Sequence, residues 1–309
     1  MFHDPTSGAT FTPLAALPQA KASFEVHNSP LTENAVLGYE FGYNVTAGHL
    51  VVWEAQYGDF INGAQVIIDE FLVSARAKWE QTPSLVLLLP HGHEGQGPDH
   101  SSGRPERFLQ LAAEYNLRLA NCTTAAQYFH LLRRQAALLK SDPLPLVILT
   151  PKSLLRHPQV ASAPQALASG GWQPVLDDPR APRAARRLVL CSGKIYVDLI
   201  TSDGYTQAAD KLGDLPAIVR LEQVYPFPAD DLRQVIDSYP DAREFFWVQE
   251  EPQNMGAWDF VQPRIAALLP ESAELRCIAR PPSGSPAEGS AAWHQANQQE
   301  IINQALGGG

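Results

Sequence analysis

Apolar runs of four or five residues recur along the chain, each followed by a stretch whose apolar residues fall at helical spacing. In the first half the runs are Leu50 to Trp53, Leu85 to Leu89, Leu117 to Ala120 and Leu146 to Leu149. Runs this short and continuous predict strands buried on both faces of a parallel sheet. After the first run, Ile61, Ala64, Ile68, Phe71, Leu72 and Ala75 share one helical face and leave Asp69, Arg76 and Lys78 for solvent. Arg107 to Tyr115 and Thr124 to Leu139 read as helices in the same way, with Thr123 or Thr124 capping the second through its hydroxyl. A further helix opens in Leu31 to Gly38 and continues to about Tyr43.

Between about Arg156 and Arg187 the period stops, because Pro158, Pro164, Pro174, Pro179 and Pro182 stand among Ala, Ser, Gly and Asp. This composition predicts a linker. The rhythm then resumes with strands at Leu188 to Cys191, Ala217 to Leu221, Phe245 to Val248 and Leu275 to Ala279. Helices are expected over Ile195 to Thr201, Ala229 to Ser238, Trp258 to Leu269 and Ala291 to Leu306. The fold class is α/β, with two successive open, largely parallel α/β sheet domains, 1–157 and 187–309, joined by a Pro/Ala-rich linker at 158–186.

Charge narrows the partners. With 33 acidic against 23 basic residues among 309, the formal charge is −10, which disfavours nucleic acid and anionic membrane surfaces, since both require a surplus of Lys and Arg. The longest apolar run, Leu85 to Leu89, is strand-sized and far short of a membrane span. Met1 to Gln19 has no basic region followed by an apolar stretch, so no secretion signal is expected. Cys122, Cys191 and Cys277 are far apart and in apolar contexts, which suggests reduced thiols, a cytoplasmic location and no zinc site.

The densest chemistry follows the strand Leu85 to Leu89, in His91-Gly92-His93-Glu94-Gly95-Gln96-Gly97-Pro98-Asp99-His100-Ser101-Ser102. Open α/β sheets bind ligands outside the carboxyl ends of their strands, where this loop must sit. Its glycines permit close backbone approach and its imidazoles exchange protons near neutral pH, although a solvated surface loop has the same composition. The histidine spacing matches no helix-borne metal site, and neither a GxSxG elbow nor a Walker-type GxxxxGK[ST] occurs. A second cluster, Trp53 to Phe60, sets Tyr57 and Phe60 around Gly58 at a strand end, where they form either a flat wall for a ring or core packing with Asp59 as a helix cap. In the third, Glu33 stands in the first turn of a helix, where answering the helix dipole is the ordinary reason for an acid.

Eight ordered blocks settle among these readings: SPLTENAVLGYEFGY, VVWEAQYGDFINGAQVIIDEFL, LLLPHGHEGQGPDHSS, TAAQYFHLLRRQ, LTPKSLLRHP, LVLCSGK, EQVYPFP and QEEPQNMGAW. Together, from about Phe11 to Leu306, they resemble the C-terminal third of the thiamine-diphosphate-dependent first component of the 2-oxoglutarate dehydrogenase complex. The resemblance implies a pyrimidine-binding domain followed by a transketolase-type C-terminal domain. It also implies oxidative decarboxylation of 2-oxoglutarate and succinyl transfer to a lipoyl group. Glu33 matches the glutamate that hydrogen-bonds a ring nitrogen of the cofactor's aminopyrimidine; Tyr57 and Phe60 match aromatic packing for that ring. His100 matches a histidine facing the reacting carbon, and His91 is expected to line the same cavity.

Family members bind the diphosphate through Mg2+ in a domain upstream of this region, and carry a pair of histidines upstream of the position of His3. Neither feature is in these 309 residues. The expected partners are therefore a second copy in a homodimer or a chain carrying the diphosphate-binding domain, together with the lipoyl domain of the dihydrolipoyl succinyltransferase. His93 stands where a tyrosine is usual. Two other readings fit the same resemblance: the corresponding part of a 2-oxoadipate dehydrogenase, or a noncatalytic assembly or regulatory module in which Arg133, Arg134, Lys152 and Arg156 hold an anionic effector.

Overall fold

The computed structural model describes residues 1–29, 31–209 and 215–307. In chain order the strands are β1 (Phe2–His3), β2 (Thr10–Phe11), β3 (Val52–Glu54), β4 (Val86–Leu89), β5 (Arg118–Ala120), β6 (Leu146–Leu149), β7 (Val175–Leu176), β8 (Arg187–Cys191), β9 (Ala217–Leu221), β10 (Gln223–Tyr225), β11 (Glu244–Pro252) and β12 (Leu275–Arg280). The first two form a small antiparallel hairpin. The others make two five-stranded sheets, ordered β10-β5-β6-β4-β3 and β12-β11-β8-β9-β7. Each has four parallel strands and one antiparallel edge strand, β10 in the first sheet and β7 in the second.

The eight expected strands are the eight parallel ones, most of them runs of buried apolar residues; β3, at the edge of the first sheet, differs, with Val52 and Glu54 exposed and Trp53 half-buried. Both edge strands are additions. β7 lies within the span expected to be a linker, where the short helices Pro158–Val160 and Pro164–Ala168 also form. β10 leaves the second half of the chain and pairs with β5 in the first sheet. One apolar cluster accordingly runs through both halves, from Leu37 and Leu87 through Leu119 and Val224 to Trp247 and Val261.

Boundaries move where polar side chains find partners. β11 continues beyond Val248 through Gln249, Glu250 and Glu251, all buried, because each side chain finds a partner inside the fold. The indole of Trp247 donates to Gln249 Oε1 at 2.9 Å, and the Glu250 carboxylate meets Lys194 Nζ at 2.6 Å. The helix expected to reach Tyr115 spans only Pro105–Leu111, since the Asn116 side chain accepts from the Ala113 amide and donates to the Leu111 carbonyl. Thr124, rather than Thr123, caps the helix Ala125–Leu138 by accepting from the Gln127 amide.

The segment after β3 keeps its predicted buried face but is not one helix. It is a 3-10 turn at Gly58–Ala64, a short α-turn at Gln65–Ile67, a π-turn at Ile68–Leu72 and a helix at Ala75–Trp79. At the π-turn the Val73 amide reaches back to the Ile68 carbonyl, and the Ser74 hydroxyl takes the Asp69 carbonyl. Helices not foreseen at Asp203–Ala209 and foreseen at Lys194–Thr201, Ala229–Asp237, Trp258–Ala266 and Ala291–Leu306 complete the second half. Among the described residues no helix is long and apolar enough to cross a membrane.

Candidate active site

Past β3 the chain turns at Gly58 against the loop that follows β4. A Cβ on Gly58 would lie 2.5 Å from the Pro90 carbonyl oxygen and 2.7 Å from the Gly103 Cα, so only glycine allows the two segments to close. The Gly58 amide donates to that Pro90 carbonyl, and Asp59 and Arg104 form a buried ion pair at 2.6 Å across the same junction. Asp59 therefore joins the two segments and does not serve as the simple cap that its sequence position suggests.

This junction assembles a face of rings. The His100 imidazole stands edge-on to Tyr57 at 4.4 Å between centroids and to Phe60 at 5.9 Å, and Tyr57 and Phe60 stand edge-on to each other. Lys152, from the turn after β6, places its ammonium 3.9 Å from the centroid of the Tyr57 ring. Glu33 begins the helix Glu33–Ala47, which Thr32 caps. Its carboxylate lies over Gly63, where a Cβ would sit 3.5 Å from Oε2, three residues beyond Phe60. Among the described residues no protein group hydrogen-bonds this carboxylate. A carboxylate free of partners beside a wall of aromatic edges can receive a flat heteroaromatic ring and hydrogen-bond one of its nitrogens.

His91 is placed elsewhere. It is buried in the seam between the two halves, where its Nδ1 accepts the Gly103 amide at 2.9 Å and its Nε2 donates to Glu251 Oε1 at 2.9 Å. The Gly103 amide needs a lone pair on Nδ1, so the ring proton belongs on Nε2. Burial opposes charge on this ring, but the Glu251 hydrogen bond and the carboxylates of Glu251, Glu250 and Glu106 outweigh it and raise the pKa. For Glu251, burial pushes upward, yet the His91 hydrogen bond and the charges of His91 and His93 hold it down at about 2. His93 is also sealed in the seam, with Nε2 on the Pro286 carbonyl at 2.8 Å, and burial takes its pKa down to about 3.

The structure thus brings Tyr57, Phe60 and His100 together, sets Glu33 over Gly63 of the same 3-10 turn, and commits both nitrogens of His91 to the seam. Asp59 and Arg104 are part of the same region without having been singled out as site residues, and Lys152, weighed from the sequence only as a holder of an anionic effector, joins them. The sequence offers one signal for Lys152, a basic residue immediately past a buried strand. The four basic residues weighed as an effector site do not converge. Arg133 lies on the Phe129 ring and bonds His130, Arg134 bonds Gln223, and Arg156 lines a mainly apolar cavity of about 520 Å³ with Glu54, Tyr128 and Leu154. No group of three His, Cys, Asp or Glu side chains suited to a metal ion occurs among the described residues.

Residues 3–158 match the family described as transketolase, pyrimidine binding domain, and residues 161–306 match the family described as 2-oxoglutarate dehydrogenase C-terminal. The chain belongs to the transketolase pyrimidine-binding family. In this member the pyrimidine-binding fold carries the Glu33, Tyr57, Phe60 and His100 face, and the C-terminal family supplies Glu251 to the seam. The chain is similar along 99% of its length to proteins named "2-oxoglutarate dehydrogenase E1 component": 53% identical to that of Geobacillus kaustophilus and 49% identical to that of Shouchella clausii. It spans only about a third of their length, 32% and 33%.

Proposed function

We propose that these 309 residues form the pyrimidine-side part of a thiamine-diphosphate-dependent 2-oxoglutarate dehydrogenase first component, an oxidoreductase that decarboxylates 2-oxoglutarate and passes the succinyl group to a lipoyl domain of the partner succinyltransferase. The diphosphate and its Mg2+ are held by polypeptide outside these residues, and the working form is a dimer in the cytoplasm. The observation that carries this reading is the partner-free Glu33 carboxylate beside the Tyr57, Phe60 and His100 rings, within a chain similar to such components from end to end.

When bound, thiamine diphosphate supplies the carbon nucleophile and the electron sink that loss of carbon dioxide from a 2-oxo acid requires. Glu33 holds a proton at a ring nitrogen of the aminopyrimidine, the position from which a carboxylate biases that ring's tautomer. Tyr57 and Phe60 exclude water from one edge of the ring, and the ion pair of Asp59 with Arg104 keeps their turn in place. His100, edge-on to both of those rings with its nitrogens uncommitted among the described residues, moves protons at the substrate.

Reconstitution tests this reading. The purified chain alone is expected to release no carbon dioxide from 2-oxoglutarate, and a mixture with the diphosphate-binding region of a relative is expected to release it in a thiamine-diphosphate- and Mg2+-dependent way. Release by the chain alone, or none from a mixture in which the two parts co-purify, overturns the proposal.

A further inference from the structure

We infer that Lys152 is the residue that binds the distal carboxylate of the substrate and so selects a dicarboxylic 2-oxo acid over a monocarboxylic one. The inference rests on the functional reading above and adds to it a specificity-determining residue. Lys152 begins the turn Lys152–Arg156 after β6. That turn is fixed at its start: the Leu154 amide donates to the Pro151 carbonyl, and the Ser153 amide donates to Glu94 Oε1 at 3.0 Å. Glu94 belongs to the loop that carries His100, so this bond presents Lys152 and His100 on the same side of the sheet's carboxyl edge.

The charge on Lys152 is uncompensated. The other cations packed around this loop are spent on carboxylates, Arg104 on Asp59 at 2.6 Å and Lys194 on Glu250 at 2.6 Å. Lys152 is exposed and makes no ion pair among the described residues; its ammonium lies on the face of Tyr57, 3.9 Å from the centroid. A cation on an aromatic face at an exposed site gains roughly 0.5–1 kcal/mol, which positions the head without neutralising it. Tyr57 thereby touches both a free ammonium, over its ring, and the edge-on His100 imidazole. A substrate whose reacting end meets His100 finds at its far end a fixed point charge, a fit for a carboxylate and not for a methyl group.

The test is made on the complete enzyme or reconstituted complex, with 2-oxoglutarate and 2-oxopentanoate, which differ in the distal carboxylate alone. Lys152→Met is expected to raise KM for 2-oxoglutarate about tenfold or more, the worth of a hydrogen bond to a charged group, with kcat changed little. KM for 2-oxopentanoate should stay the same, and Lys152→Arg should restore most of the preference. Glutarate, measured by calorimetry, should bind the wild type and not Lys152→Met. Turnover by the wild type with an unchanged KM ratio in Lys152→Met overturns the role of Lys152 and leaves the functional reading intact. Absence of turnover by the wild type counts against that reading, and glutarate binding then decides Lys152 by itself: binding equal in both proteins overturns the inference.

Discussion

His91 and His100 leave the same strand on the same loop, yet they are in opposite states, and so are the two glutamates singled out with them, Glu251 and Glu33. In the seam, both nitrogens of His91 are occupied and Glu251 is held ionised at about 2. On the aromatic face, Glu33 has no hydrogen-bond partner among the described residues and His100 touches only ring edges and faces. The contrast separates two uses of the same residue types. A polar group whose partners come from the fold joins domains; a polar group whose partners are missing is available to a ligand. Mutations should divide along the same line, with stability lost in the seam and chemistry lost on the face.

The largest effect belongs to His91→Ala. It strands the Glu251 carboxylate in a buried seam, and removing one member of a buried pair costs about 3 to 5 kcal/mol. Urea unfolding should show the midpoint of the second half falling together with that of the first, because β10 and the common apolar cluster tie the halves. A cost near zero would erase the distinction between the two histidines. Next comes Glu33→Gln in the complete enzyme, where turnover and deuterium exchange at the cofactor's thiazolium carbon should fall on the order of 10² or more. Its unfolding midpoint should remain near that of the wild type, since the carboxylate bonds nothing in the fold. Exchange at the wild-type rate would remove Glu33 from the chemistry.

The sequence makes one of these regions visible and hides the other for a physical reason. Parallel strands announce themselves, as do Leu146 to Leu149, because burial on both faces demands unbroken apolar runs. Gln249-Glu250-Glu251 does not, because the burial of its two carboxylates is made tolerable by Lys194 and His91, which lie far away in the sequence. The edge strands Val175–Leu176 and Gln223–Tyr225 are too short to show any period at all. On the face, Glu33, Tyr57, Phe60 and His100 were legible through the resemblance of ordered blocks. Lys152 was legible only as a charge, because a cation resting on a ring leaves no spacing signature.

Acid offers a test that isolates the seam. His93 titrates at about 3 in the folded chain because it is buried, whereas an unfolded histidine titrates near 6.5. Between those values the unfolded chain binds the extra proton, so stability falls as pH drops through the window. Glu251, at about 2 against an ordinary 4.5, contributes stability that is present above 4.5 and lost as pH falls toward 2. His91 has the opposite sign: its raised pKa gives stability that is full below 6.5 and lost as pH rises through the folded value. His93→Tyr should therefore remove the first acid limb and keep the second. Urea midpoints measured from pH 7 down to pH 4 should diverge, with the wild type weakening before the variant. Parallel curves would mean that the seam does not keep His93 neutral.

The stability effect of His100→Ala should be far smaller than that of His91→Ala, and that difference is what the comparison requires. His100 closes a 3-10 turn at Pro98–His100, is only partly buried, and its ring contacts are edge-on to Tyr57 and Phe60. Its turn is held independently by the Ser101 hydroxyl on the Gly97 carbonyl and by the Gly92 amide on the Ser101 carbonyl. Removing the imidazole costs edge-to-face contacts worth roughly 0.5 to 1.5 kcal/mol and leaves no buried charge behind. Turnover of the complete enzyme should fall far more than this loss of stability accounts for. If His100→Ala instead destabilises the fold as much as His91→Ala while turnover falls no further than that loss accounts for, His100 is a packing residue and the face has lost its proton carrier.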